Sequence, residues 1–306
     1  MMKKITIACL WVALVSTTVG WEKSKVLADE QSQYLTLQLN NLRLAVDPNL
    51  GGRIVSFSLD GIEVLRTTRD EKNLQWGSTA WSSPQSDWNW PPLESLDSEP
   101  YVVRSHTADA IELASGIDET TKLQMIKHFQ MRMGSNGAPL AVVSYRIANR
   151  GLVDTKVAVW ENTRVDWGGF TEFSAGSQIR LSHPEKAVVT EDRNGVTRLA
   201  FNGMQPHAQK VFVTPAEVTN SKGERQSSVW NRYHRHDLVL IKRCELLADT
   251  APGQTPLEIY LAPQSDFAEL ELQGPYESLA PNEEVSLVVH WQLFKTEDPR
   301  IEDLRQ

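Results

Sequence analysis

Ile54-Val55-Ser56-Phe57-Ser58-Leu59-Asp60-Gly61-Ile62-Glu63-Val64 is the stretch whose reading decides the fold. Val55, Phe57 and Leu59 alternate with Ile54, Ser56 and Ser58, so the two sets project to opposite faces of an extended chain. Asp60-Gly61 interrupts, and Ile62 and Val64 resume the alternation. Asp-Gly between two alternating runs predicts a two-residue hairpin, because the turn that joins such strands needs positive φ at both central residues. Upstream, Leu35, Leu37, Leu39 and then Leu42, Leu44, Val46 keep the same two-residue period. Asp47-Pro48-Asn49-Leu50-Gly51-Gly52 supplies the turn before the next run, so the segment reads as a β-meander.

The same signals predict strands at 101–105, 111–114, 121–133, 140–149, 155–160, 178–181, 187–190, 197–201, 210–213, 229–244, 257–261, 267–272 and 285–294. Residues 297–306 read as a polar tail with one helical turn. No segment of useful length keeps a 3.6-residue stripe with caps, and turn residues recur about every ten residues, as in all-β sandwiches. The chain has 306 residues and no internal repeat or linker. It reads as a single large antiparallel β-sandwich over 29–306, preceded by a signal peptide over 1–28.

The leader rests on Met1-Met2-Lys3-Lys4, the mostly apolar run Ile5 to Val19, and the small residues of Val26-Leu27-Ala28 before Asp29. The apolar run is short for a membrane span. The expected product is a periplasmic or secreted protein with no membrane span after signal removal. Losing residues 1–28 takes away Lys3, Lys4, Lys23, Lys25 and Glu22 and moves the formal charge from −8 to −11. That charge suits a neutral or cationic ligand and opposes a nucleic-acid partner, which needs clustered Lys and Arg. Only Cys244 then remains, so no internal disulfide and no cysteine-based zinc site can form.

Between the first strands and Tyr101 lies Trp76-Gly77-Ser78-Thr79-Ala80-Trp81-Ser82-Ser83-Pro84-Gln85-Ser86-Asp87-Trp88-Asn89-Trp90-Pro91-Pro92. Neither a helical nor a strand period fits its four tryptophans. Indoles beside Gln, Asn and Asp match a sugar ring, whose C–H face stacks on the aromatic and whose hydroxyls bond the polar neighbours. Trp81, Gln85, Trp88 and Trp90 are therefore candidate ligand contacts, on a loop that could also fold back over its own domain. A second aromatic-polar cluster, Trp160-Glu161-Asn162-Thr163-Arg164-Val165-Asp166-Trp167-Gly168-Gly169, follows a strand and offers Trp160, Thr163 and Arg164. Arg164 with Glu161 could clamp a polyol or a carboxylate, or the two could pair with each other as a rim salt bridge.

Glu269 and Glu271 share one face of the strand at 267–272, while Ala268, Leu270 and Leu272 share the other. Two carboxylates on a dry face raise at least one pKa, which suits a general base; on a wet face they are ordinary surface acids. His234 and His236, read as two apart in a strand, offer a metal or proton-transfer pair, but no third ligand is adjacent. No metal or cofactor is implied. His128, between Lys127 and Phe129, is a further polar candidate. There is no Gly-x-Ser-x-Gly elbow, and Gly51-Gly52 lacks the phosphate-loop pattern.

These pieces resemble the galactose-mutarotase-like (aldose 1-epimerase-like) superfamily. The opening runs from Asn41-Leu42-Arg43-Leu44 through Gly52-Arg53-Ile54-Val55-Ser56-Phe57 to Asp60-Gly61. The end runs from Glu269-Leu270-Glu271-Leu272-Gln273-Gly274-Pro275 through Leu279-Ala280-Pro281-Asn282-Glu283-Glu284 to a last strand containing Trp291. Within the superfamily the chain is most similar to a family with a Trp-Pro-Gln-Trp-type loop and a Trp-x-x-Thr element before Gly-Gly. Trp81 to Pro92 and Trp160 to Gly169 fill those places. The resemblance implies a twisted antiparallel supersandwich with a sugar on a concave face. It further implies a late glutamate as base on the anomeric hydroxyl, in the Glu-x-Gln context that Glu271-Leu272-Gln273 matches, and a histidine that protonates the ring oxygen. Trp160 to Arg164 stands where that histidine would fall; His128, His234 and His236 are the replacements on offer. Three functions follow: an exported carbohydrate-binding protein with a mono- or oligosaccharide under the Trp-rich loop, a sugar 1-epimerase (an isomerase) using Glu271 with Arg53 and Arg164 as hydroxyl clamps, or an envelope protein-interaction domain whose tryptophans anchor a partner.

Overall fold

In the computed structural model the described residues are 33–303, apart from 69–73, 186–187, 189, 194, 202–207, 217, 220–224, 227 and 246–248. The leader expected over 1–28 lies outside them. The hairpin at Asp60-Gly61 forms as the sequence predicts: Asp60 has φ 53° and Gly61 φ 77°, and the flanking strands pair antiparallel, Leu59 with Ile62 and Ser58 with Glu63.

The first half of the chain contributes β1 (Leu35–Leu39), β2 (Leu42–Asp47), β3 (Arg53–Leu59), β4 (Ile62–Glu63), β5 (Ser78–Ser83), β6 (Val102–His106), β7 (Ala110–Ile117), β8 (Leu123–Met133), β9 (Pro139–Asn149) and β10 (Thr155–Asp166). Next come β11 (Phe170–Ser174), β12 (Gln178–Leu181), β13 (Thr190–Arg193), β14 (Val196–Ala200), β15 (Gln209–Thr214), β16 (Val218–Thr219), β17 (Arg225–Gln226), β18 (Ser228–Arg235) and β19 (Leu238–Glu245). The last are β20 (Leu257–Ala262), β21 (Phe267–Gln273), β22 (Glu277–Leu279) and β23 (Glu284–Lys295). Two single-turn helices, α1 (Glu94–Asp97) and α2 (Arg300–Asp303), complete the set.

One sheet of eleven strands runs β1-β2-β3-β5-β10-β21-β20-β15-β12, with β4 and β22 attached. The second, of ten strands, runs β13-β14-β11-β18-β19-β23-β9-β8-β7-β6. Every pairing is antiparallel, and the sheets share one apolar core that includes Phe57, Val159, Leu270, Tyr145 and Trp291. The fold is an all-β supersandwich.

Two buried lysines cross this core. Lys242 on β19 donates to Glu161 Oε2 (2.7 Å), Thr163 Oγ1 (2.9 Å) and the Leu270 carbonyl (2.7 Å). Lys127 on β8 donates to the Gly51 carbonyl (2.6 Å) and Thr79 Oγ1 (3.2 Å). Burial pulls the Lys127 amine down to about 7, with Asp97 opposing. Gly51 has φ 62°, and a Cβ there would stand 1.9 Å from the Asp97 carbonyl oxygen. The missing side chain lets α1 pack against this turn.

Strands β11, β16, β17 and β22 are not expected from the alternation, and three further differences bear on the site. Residues 229–244 are two strands, β18 and β19, joined at His236-Asp237, and His236 sits in the turn with φ 50°. His234 and His236 therefore do not share a strand face. The stretch 78–83, inside the supposed irregular Trp segment, is strand β5 between β3 and β10. Strand β10 also runs on to Asp166, through residues read as a loop cluster.

Candidate functional site

Alternation along β10 sorts its side chains. Val157, Val159 and Val165 lie in the core between the sheets, so Glu161 and Thr163 point there too. Trp160, Asn162 and Arg164 point to the outer face. On β21 the core takes Ala268, Leu270 and Leu272, which leaves Glu269 and Glu271 on that same outer face. Register pairs Asn162 with Glu271 and Arg164 with Glu269. On the other side Trp160 pairs with Trp81 of β5, and beyond β21 Glu271 pairs with Glu258 and Glu269 with Tyr260.

Charged groups on this face are paired within the protein. Arg164 Nε donates to Glu269 Oε1 at 2.8 Å. Lys210 Nζ reaches Glu258 Oε2 at 2.5 Å and Glu271 Oε2 at 2.9 Å, and lies 4.4 Å from the centre of the Trp160 ring. Trp160 Nε1 donates to Glu271 Oε2 at 2.9 Å. Burial is the largest influence on Glu271 and pushes its carboxyl up to about 8; the Lys210 ammonium pulls the other way, and Glu258 and Glu269 add like charge.

The aromatic part is built outward from Trp81, whose Nε1 donates to Asp97 Oδ1 at 2.8 Å. Asp97 also accepts from Arg53 Nη2 at 2.9 Å. Trp81 packs edge-on against Trp160 (ring centres 5.0 Å apart), Trp88 (6.1 Å) and Trp90 (6.1 Å). Trp81 and Trp160 are buried, Trp88 is half-buried with its Nε1 on the Ser82 carbonyl, and Trp90 is 58% exposed. The result is an aromatic wall with one open indole, beside a floor of carboxylates, an ammonium, a guanidinium and an amide. Gln85 stands half-buried in the single turn Gln85–Asp87 that starts the Trp88–Trp90 segment.

The structure thus brings Trp81, Trp88, Trp90, Trp160, Arg164, Glu269 and Glu271 together. Gln85 starts the Trp88–Trp90 segment, Arg53 meets the site through Asp97, and the other candidates lie apart. Thr163 faces the core and bonds Glu161 and Lys242. Arg53 is buried on the carbonyls of Leu74 and Trp76 and on Asp97. His128 is on the second sheet, between core residues Lys127 and Phe129. His234 is on the second sheet too, stacked on Phe170 and bonded to Glu172 at 3.0 Å. Among the described residues no histidine bonds Glu271, and no group of three His, Cys, Asp or Glu is placed to hold a metal.

Burial works against charge on Glu172, but hydrogen bonds from His234 and Arg198 hold its carboxyl down to about 2, from an ordinary 4.5. A folded value below the unfolded one stabilises fully above about pH 4.5, and the gain is lost as pH falls through about 2. In urea melts, the stability gap between wild type and Glu172→Gln is therefore expected to hold from about pH 7 to 5 and to close towards pH 2.

Sequence reasoning missed Lys210, Glu258, Tyr260, Asn162 and Asp97. Lys210 had a faint signal, since it alternates with Val211 and Val213 in a predicted strand, but nothing said which strands lie beside it. A cleft of about 320 Å³ lies elsewhere, lined by Asn41, Asp60, Phe294, Lys295, Asp298 and Arg300 among others. Its charges pair with each other, Asp60 with Lys295 and Asp298 with Arg300, so the outer face around Glu271 is the better candidate.

No family model matches the sequence, and no curated protein matches it. Solved structures do. A galactose mutarotase-like protein from Lactobacillus casei aligns at 12% identity and TM-score 0.56, over 85% of this chain and all of that one. The Slr1438 protein from Synechocystis aligns at 15% and 0.58, over 86% and 96%. A galactose mutarotase related enzyme from Lactobacillus acidophilus aligns at 10% and 0.54, over 87% and 98%. The fold is shared with these galactose mutarotase-like proteins along nearly the whole described chain. No helix among the described residues is long and apolar enough to cross a membrane.

Proposed function

We propose that this is an exported carbohydrate-binding protein that holds a mono- or oligosaccharide on the outer face of β5, β10, β21 and β20. The observation that carries the reading is the joining of an exposed indole, Trp90, to a wall of three more tryptophans beside Glu269, Glu271, Arg164 and Lys210. An aromatic plane with fixed donors and acceptors around it is what a pyranose ring needs. The basic-then-apolar opening of the chain supports export. A glycan array with the purified protein tests the reading, and silence on every glycan would remove it.

A second reading, sugar 1-epimerase, is supported by the Glu271 carboxyl standing near neutrality, where a general base works best. NMR exchange between the anomers of glucose and galactose tests it. Acceleration by wild type that Glu271→Gln abolishes is the expected signature; no acceleration on either sugar sinks the enzyme reading and leaves the binding one.

A further inference from the structure

Asn162 carries the observation that the proposed function does not use. It is wholly buried, and neither its Oδ1 nor its Nδ2 has a hydrogen-bond partner. Arg164 Nη1, on the same outer face, is also buried without one. Buried polar groups are almost always satisfied, and leaving them unpaired costs free energy. Three such atoms from neighbouring outward positions on a central strand call for an explanation.

The outward neighbours of Asn162 on its strand, Trp160 and Arg164, reach across to the strands on either side. Trp160 leans forward along the strand until its Nε1 reaches Glu271, the register partner of Asn162. Arg164 leans back until its guanidinium carbon lies 4.9 Å from the centre of the Trp81 ring; Trp81 is itself the register partner of Trp160. Trp88 lies against both Trp81 and Trp160, and Trp90 against Trp81. Two contacts, Trp160 with Glu271 and Arg164 with Trp81, thus bracket Asn162 between β21 and β5.

We propose that Asn162 and Arg164 form a concealed subsite for the vicinal diol edge of one neutral terminal sugar ring, and that the Trp81–Trp160 pair, backed by Trp88 and Trp90, opens to admit it. This rests on the carbohydrate reading above. The amide offers one acceptor and two donors, and Nη1 offers donors. A diol returns donors and acceptors in the same small space. Neutrality follows from the surroundings: Arg164 is already paired with Glu269, and Lys210 with Glu258 and Glu271, so both cations have carboxylate partners. A carboxylate-bearing sugar would have to compete with those carboxylates for them. The exposed Trp90 is left to stack on a second ring outside that pair.

The test uses the full chain and a panel of methyl glucoside, galactoside and mannoside with methyl glucuronide as the acidic comparison. Binding is followed by calorimetry and by tryptophan fluorescence, which reports movement of the indoles. At least one neutral glycoside is expected to bind and change the fluorescence. Asn162→Leu is expected to weaken it at least about tenfold, and without sugar to melt at or above the wild-type temperature, because an unpaired amide has been replaced by an apolar side chain of similar size. Asn162→Ala gives the same binding result should Leu overpack. If either variant binds within about threefold of wild type, or the glucuronide binds better than the neutral sugar, the inference is overturned while the carbohydrate reading stands. The same holds if no methyl glycoside binds wild type but longer glycans do. Silence on both the panel and the glycan array removes both.

Discussion

Lys242→Met is expected to lower folding stability by about 3–5 kcal/mol, the usual cost of breaking a buried pair from one side. Both Lys242 and Glu161 are wholly buried, and the ammonium makes three hydrogen bonds. Removing it leaves Glu161 as a buried charge with only hydroxyl partners, Thr163 at 2.6 Å and Ser78 at 3.4 Å. The double change Lys242→Met with Glu161→Leu is expected to recover most of the loss, because no charge is then stranded and apolar contacts replace the pair. Urea unfolding of the four proteins in the cycle measures this. A single variant as stable as wild type would mean the pair is solvated or uncharged. The Leu270 carbonyl bond gives the pair a further role: it ties β21, the strand of Glu269 and Glu271, to the opposite sheet.

Trp90→Ala is expected to weaken binding of a di- or trisaccharide by about 2 kcal/mol, roughly 30-fold, as the loss of an aromatic anchor does. Its stability is expected to stay within about 0.5 kcal/mol of wild type, since an indole 58% exposed contributes little to folding. Trp81→Ala makes the contrast. Trp81 is buried, donates to Asp97 and packs on three other indoles, so its loss is expected to damage folding and binding together. Calorimetric titration beside thermal melts separates the two cases. Unchanged glycan affinity in Trp90→Ala would show that this ring lies outside the binding surface.

Some of this was legible before any coordinates. Asp60-Gly61 fixed its hairpin because a short turn needs positive φ and the strands beside it alternate. His236 hid the opposite case: it carries positive φ without a glycine to announce it, and the alternation runs unbroken across the turn. Strand β5 was invisible for another reason. All six of its residues are buried, so polar and apolar side chains follow one another with no exposed face to set a period. Past Trp160, β10 looked like a loop because Glu161 and Thr163 are polar yet face the core, where Lys242 from the other sheet receives them.

From its residues alone this chain was bound to be an antiparallel β-sandwich with outward acids on its late strand and an aromatic-polar segment after its first hairpins. Those features are set by neighbours one or two positions apart, through the two-residue period and the needs of tight turns. Which side chains meet was left to the tertiary structure. Glu271 touches Trp160 from 111 positions away, and it meets Lys210 only because β15, β20, β21 and β10 lie in that order. Strand order is settled by burying the whole apolar surface at once, a cooperative outcome that no local stretch of sequence encodes.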